Sequence, residues 1–169
     1  RDFRNCLTVT HEHFIDLMSP TFGVEKRILE RVEPACISAD GYFGKDDEGF
    51  FIRVGYDGLL EDSFSHSKSF GSDSWKEWLM TRAYITAHES SHYLYQLANP
   101  VAATISRWSD FRERRGWFVS ETIAELGAIT YSSRIGQLGR VSFWASIYPA
   151  FLPAWKIFNE HGSKGLSKL

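Results

Sequence analysis

The sequence has little of what marks membrane-spanning, nucleic-acid-binding or disulfide-rich proteins. No apolar stretch reaches the roughly 18 residues that a transmembrane helix requires, so we expect no membrane span. The 19 lysines and arginines are balanced by 21 aspartates and glutamates, and a chain without a cationic excess is not expected to bind nucleic acid. Only two cysteines are present, and Cys6 and Cys36 can pair only in an oxidising compartment. The chain starts at Arg1 rather than at methionine, which indicates a processed product or a piece of a longer protein.

Apolar residues are plentiful, in contrast. They make up 43% of the chain, which is enough to form a packed core and excludes a disordered protein. No repeat or shift in composition divides the sequence, so we expect one domain over residues 1–169. The local patterns predict two helices, a hairpin and then several helices, which is an α+β layout.

Turn and helix-breaking residues set the expected bounds of these elements. Short helices are expected at His11–Met18, stopping before Pro20, and at Val24–Val32, stopping before Pro34. A glycine-bounded acidic turn between Ala35–Phe43 and Phe50–Tyr56 predicts a hairpin of two strands. After a serine-rich loop, four helices are expected, at Trp75 to about Ala98, Val101–Arg114, Ser120 to about Ser133 and Arg140–Glu160. Gly116 is expected to end the second of these, and Pro149 and Pro153 are expected to bend the last.

The long helix contains the run His88-Glu89-Ser90-Ser91-His92. Histidines four residues apart on a helix lie on one face, one turn apart, where both imidazoles can bind the same ion. Zinc accepts imidazole nitrogens, and the glutamate that follows the first histidine can reach a water beside the metal without binding the metal itself. The run therefore predicts two zinc ligands, His88 and His92, and a general base, Glu89.

A catalytic zinc needs a third protein ligand and an open position. The best candidate is Glu121, which lies four residues before Glu125 on one face of a mostly apolar helix. Two carboxylates on such a helix are costly to bury without a partner, and a cation with its imidazole ligands would be that partner. We therefore expect Glu121 to bind the metal and Glu125 to accept a hydrogen bond from the outer nitrogen of a ligand histidine.

These two motifs resemble those of the gluzincin zinc metallopeptidases, which include thermolysin and the aminopeptidase-N group. In that family the downstream helix carries a glutamate ligand, often in a W-L-N-E-G-x-A context, where this chain has WFVSETIAE at residues 117–125. The resemblance covers roughly Phe14–Leu166. It implies a small zincin-like domain, with a short sheet or hairpin on a mostly helical body, one bound Zn²⁺ and a peptide or protein substrate.

The resemblance also implies a mechanism. Zinc acidifies a water and polarises the peptide carbonyl, while Glu89 takes the proton and later passes it to the leaving amine. In gluzincins a tyrosine or histidine beyond the third ligand stabilises the oxyanion. The candidates here are Tyr131, Tyr148 and His161, and we prefer Tyr148 because it precedes a proline that can kink the helix.

The chain also departs from the family. No Gly-x-Met-Glu-Asn run precedes the site, so recognition of a free substrate N-terminus is unsupported. The run DEGFFIRVG, residues 47–55, occupies that region and is expected to form an edge strand that pairs with an extended peptide. The missing motif and the small size leave two alternatives open, a catalytically inactive binding or scaffold module, and a latent peptidase whose site is shielded by residues 59–74.

Overall fold

The computed structural model describes residues 3–36, 40–55, 74–100, 111–141 and 149–166. Together the described elements form an α+β arrangement of helices around one small mixed sheet, which confirms the expected class. In chain order they are α1 (Phe3–Phe22), β1 (Val32–Ala35), β2 (Gly41–Asp46), β3 (Gly49–Gly55), α2 (Ser74–Ala98), α3 (Phe111–Arg134), α4 (Leu138–Val141), α5 (Phe151–His161) and a final 3₁₀ turn, Gly162–Lys164. Among these elements no helix has the length and apolar character that crossing a membrane requires.

The sheet contains the expected hairpin and one strand that the sequence did not predict. β2 and β3 pair antiparallel around a two-residue turn, and Gly49 adopts the positive φ of 114° that this turn needs. β1 pairs parallel with β3, so the strand order is β1-β3-β2. The expected edge role of residues 47–55 is therefore wrong, because β3 is the central strand and β2 lies at the edge of the described sheet.

The helix expected at Val24–Val32 does not form. Gly23 ends α1 with a φ of 68°, and residues 24–29 have no regular structure. The backbone N–H of Leu29 donates to Nε2 of His11, and Val32 pairs with Ile52 in the sheet. Tertiary contacts thus outweigh the helical propensity of this segment.

Helix α1 is longer than expected at both ends and contains Pro20. Proline lacks the N–H that would bond four residues back, but it lies here in the last turn, where little helix remains to be disrupted. The chain leaves α1 through hydrogen bonds from Gly23 N–H to Pro20 O and from Val24 N–H to Ser19 O. The expected stop before Pro20 was therefore too early by about one turn.

Helix α2 forms as expected and lies at the centre of the molecule. One core cluster joins it to α1 and α3 through the buried residues Phe14, Ile15, Met18, Ala87, Tyr93, Leu94, Ala128 and Tyr131. The sheet packs on α1 and α2 through a second cluster of Leu7, Val32, Ile52 and Val54, with Ile85 against it. These contacts fix the histidine-bearing helix on three sides.

The C-terminal helices differ from the expected pattern. Gly116 lies inside α3 and does not end a helix, while residues 101–110 of the helix expected before it fall outside the described residues. The helix expected at Arg140–Glu160 is not continuous, since residues 149–150 form a turn before α5 starts at Phe151, and residues 142–148 lie outside the described residues. Pro149 lies in the turn before α5, and Pro153 in its first turn, where no N–H is needed. Cys6 has a free thiol and so forms no disulfide with Cys36.

Candidate metal centre

His88 and His92 project from the same face of α2, one turn apart. Their ring centroids are 4.9 Å apart and the ring planes are inclined at 77°. His88 is buried and His92 is half-buried. The helical spacing therefore delivers two adjacent imidazoles to one location, as the sequence suggested.

Glu121 reaches the same location from α3. One of its carboxylate oxygens lies 3.2 Å from Nε2 of His88, and the other lies 3.3 Å from Nε2 of His92. Ligands placed about 2.0–2.1 Å from a tetrahedral zinc ion are roughly 3.3 Å from one another. The three residues thus have the donor types and the spacing that one zinc ion requires, and their ligand atoms all lie within 4.8 Å of one another.

The outer nitrogens of both imidazoles lie close to polar side chains of α3. Nδ1 of His88 lies 2.8 Å from Oε1 of Glu125, and Nδ1 of His92 lies 3.1 Å from Oγ of Ser120. Contacts of this kind select the tautomer and fix the ring orientation of a ligand histidine. Both Nε2 atoms are therefore directed towards Glu121.

Glu125 is itself held by a residue that the sequence reasoning missed. The hydroxyl of Tyr84 donates a hydrogen bond to Oε2 of Glu125 at 2.5 Å. Burial, together with the negative charge of Glu125, raises the pKa of Tyr84 well above its usual value, so the phenol keeps its proton and remains a donor. Tyr84 precedes His88 by one helical turn, and this spacing was the available signal for it.

The charges of the cluster favour a protonated His88 beside an ionised Glu121 when no ion is bound. Burial lowers the pKa of His88, but Glu121 and Glu125 raise it by more, and the result is well above the usual value. Burial raises the pKa of Glu121, but hydrogen bonds and charges of His88 and His92 lower it far below the usual range. Cation binding would replace the proton of His88, because metal ligands must be deprotonated.

Glu89 is buried on the side of α2 that faces β2. The backbone N–H of Phe43 lies close enough to its carboxylate to lower the pKa of Glu89. Burial raises the pKa of Glu89 and outweighs the opposing charges of His88 and His92. The charges of His88 and His92 therefore act on the carboxylate of Glu89. Glu89 nevertheless does not belong to the group of residues that can bind one ion together.

Two of the three candidates for the oxyanion donor, Tyr131 and His161, have other surroundings in the described structure. The hydroxyl of Tyr131 lies 2.9 Å from Nδ1 of His13 and so contacts α1. Tyr131 also follows Glu121 along α3 by about 15 Å of helix rise. His161 is exposed at the end of α5, where Glu160 is 3.9 Å away. Tyr148, the preferred candidate, lies outside the described residues.

The two serines between the histidines have structural roles. The hydroxyl of Ser90 donates to the carbonyl of Thr86 and contacts His11 on α1. Ser91 lies on the opposite side, where Gly127 of α3 approaches it closely. Small residues at these two positions therefore allow α1 and α3 to pack against the histidine-bearing helix.

Comparison with protein-family models, with curated proteins and with solved structures found no match for this chain. A functional proposal therefore depends on the sequence motif and on the geometry of the site.

Proposed function

We propose that this chain is a zinc-dependent peptidase with a zincin-like catalytic domain of the gluzincin type. The observation that carries the proposal is the spacing of about 3.3 Å between the carboxylate oxygens of Glu121 and the two Nε2 atoms. The Nδ1 atoms of the same two imidazoles lie beside Glu125 and Ser120. Ion pairs between buried histidine and glutamate also occur without a metal. A pair of imidazoles directed at one carboxylate by two further residues is, however, typical of a zinc site.

Each residue of the site has a defined role in this proposal. His88, His92 and Glu121 bind one zinc ion, which when bound supplies the Lewis acidity that lowers the pKa of a water and polarises a carbonyl. Glu125 and Ser120 orient the two imidazoles. Glu89 accepts the proton of the attacking water and returns it to the leaving amine, a task that its raised pKa supports.

A peptide substrate fits the site better than a small soluble molecule. The strand β2 lies beside α2 and has one side turned away from β3 in the described residues. An exposed strand edge can bind an extended peptide through main-chain hydrogen bonds. The role expected of residues 47–55 therefore passes to the part of β2 around Lys45, because Gly41 and Phe43 lie against Glu89.

Metal content and peptide hydrolysis test the proposal together. Protein freed of metal with a chelator should take up one zinc per chain and then cleave members of a mixed peptide library. Glu89→Gln should retain zinc and lose about 100-fold or more in kcat/KM, because general-base catalysis typically contributes that much. Glu48→Gln is a matched control, since Glu48 is exposed in the hairpin turn, and its activity should equal that of the wild type.

Three results would overturn the proposal. A folded protein that binds no zinc at micromolar supply would remove the metal site. Unchanged hydrolysis in Glu89→Gln would remove the assigned base. A zinc-loaded protein that cleaves no peptide in the library would favour the binding or scaffold module.

A further inference from the structure

One edge of β2 is unpaired in the described sheet, and its backbone groups point outwards in a regular alternation. The N–H of Gly55 donates to the carbonyl of Asp40, which sets the hydrogen-bonded pairs of the hairpin. In antiparallel pairing only every second residue bonds to the partner strand. Gly41, Phe43 and Lys45 therefore direct their N–H and C=O groups away from β3.

One of these outward groups has a specific partner. The N–H of Phe43 is directed at the carboxylate of Glu89 on α2 and is close enough to lower the pKa of Glu89. The ring of Phe43 is stacked parallel to the imidazole of His92, with centroids 6.4 Å apart. Phe43 thus contacts both the assigned base and one assigned metal ligand.

The strand can approach this closely because residue 41 has no side chain. A Cβ atom at Gly41 would lie 2.5 Å from Oε1 of Glu89, 2.9 Å from its Cγ and 2.7 Å from Cγ2 of Ile85. Separations below 3 Å are far shorter than van der Waals contact and would force Glu89 or the strand to move. The contact therefore depends on glycine at this position.

We propose that the edge of β2 positions Glu89, with Gly41 admitting the carboxylate and the Phe43 N–H fixing its orientation. A carboxylate offers about four lone-pair sites, and a hydrogen bond to one of them leaves the others free to accept a proton. Fixing the carboxylate in advance lowers the entropic cost of proton transfer. The catalytic meaning of this contact rests on the proposed function, whereas the contact itself does not.

Amide hydrogen exchange tests the contact without any need for activity. In the wild type, the Phe43 amide should exchange roughly 100-fold more slowly than that of Lys45, which faces the same way on the same strand. Glu89→Leu replaces the carboxylate with an apolar side chain of similar size and should remove this protection. Glu89→Gln retains an acceptor oxygen and should preserve it. Equal exchange at Phe43 and Lys45 in the wild type, or protection that survives Glu89→Leu, would overturn the proposal.

Kinetics test the positioning role. Gly41→Ala should lower kcat about tenfold or more while leaving KM and zinc affinity unchanged, because no metal ligand is displaced. Gly44→Ala is the matched control, since its Cβ would meet Phe51 and Tyr42 at 2.7 and 2.8 Å on the opposite face of β2. Its kcat should stay near that of the wild type.

A compensating variant separates positioning from general damage. Glu89→Asp shortens the side chain, so Gly41→Ala should cause little further loss of kcat in that background. A loss of kcat in Gly41→Ala that is accompanied by a parallel loss of zinc affinity, or that is equal in both backgrounds, would assign Gly41 a structural role only. If the wild type cleaves no peptide, the proposed function fails, and the exchange experiment still decides the contact.

Discussion

At the scale of single residues, the hydroxyl of Tyr84 holds Glu125 in place. Glu125 in turn contacts the outer nitrogen of His88 in the proposed metal site. Tyr84→Phe removes the hydrogen bond to Oε2 of Glu125 and leaves that buried carboxylate with fewer partners. Loss of such outer contacts typically costs 10–100-fold in metal affinity, and we expect about tenfold weaker zinc binding. Competition with a chromophoric chelator measures it. Tyr42→Phe, on an exposed ring, should not change the affinity, and equal affinities for all three proteins would contradict this role for Tyr84.

His11 is a second buried histidine, and its hydrogen bonds require the neutral form. The hydroxyl of Ser90 donates to Thr86, so it accepts from Nδ1 of His11, while Nε2 accepts from the N–H of Leu29. Burial lowers the pKa of His11 to about 4. An added proton on Nε2 would oppose the Leu29 N–H, which agrees with this direction.

Stability should therefore fall in acid through His11. Between pH 6.5 and about 4 the unfolded chain binds a proton at this residue and the folded chain does not. The free energy of unfolding should fall by about 1.4 kcal/mol per pH unit across this window, or about 3 kcal/mol in total. Urea unfolding at several pH values measures the slope. His11→Gln should be less stable at pH 7 but should show a flatter dependence, and an unchanged slope would contradict the assignment.

At the scale of elements, α2 and α3 approach most closely where Ser91 meets Gly127. A Cβ at Gly127 would overlap Oγ of Ser91, would lie 2.8 Å from its Cβ and would be 3.3 Å from Cζ of Phe22. Alanine is the better helix former by about 1 kcal/mol, but overpacking a buried contact typically costs 1–3 kcal/mol. We expect Gly127→Ala to be destabilised by about 2 kcal/mol in urea unfolding. Gly139→Ala, where nothing lies within 4 Å, should be neutral or slightly stabilising, and equal stability of both variants would contradict the close contact.

The elements that the sequence predicted well are those with strong local signals. The serine-rich loop and the helix-breaking residues indicated α2, and the acidic turn indicated the hairpin. The errors lie where a distant contact decides. Val32 becomes a strand residue because Ile52, twenty residues later in the chain, pairs with it.

At the scale of the whole molecule, the site is assembled from segments that lie far apart in the chain. The helical spacing of His88 with His92, and of Glu121 with Glu125, could be read from the sequence, as could the expectation that the two faces meet. The approach of β2 to Glu89 could not, because it depends on the register of the hairpin against α2. The register of the hairpin follows from local turn chemistry. The position at which the hairpin packs on a helix leaves no periodic pattern in the sequence and so cannot be predicted from it.

Anomalous diffraction from crystals grown with zinc tests the central claim most directly. Data collected above and below the zinc absorption edge should give one peak, about 2.0–2.2 Å from Nε2 of His88, Nε2 of His92 and a carboxylate oxygen of Glu121. Absence of a peak between these three residues, with the Glu121 carboxylate turned towards solvent, would contradict the account.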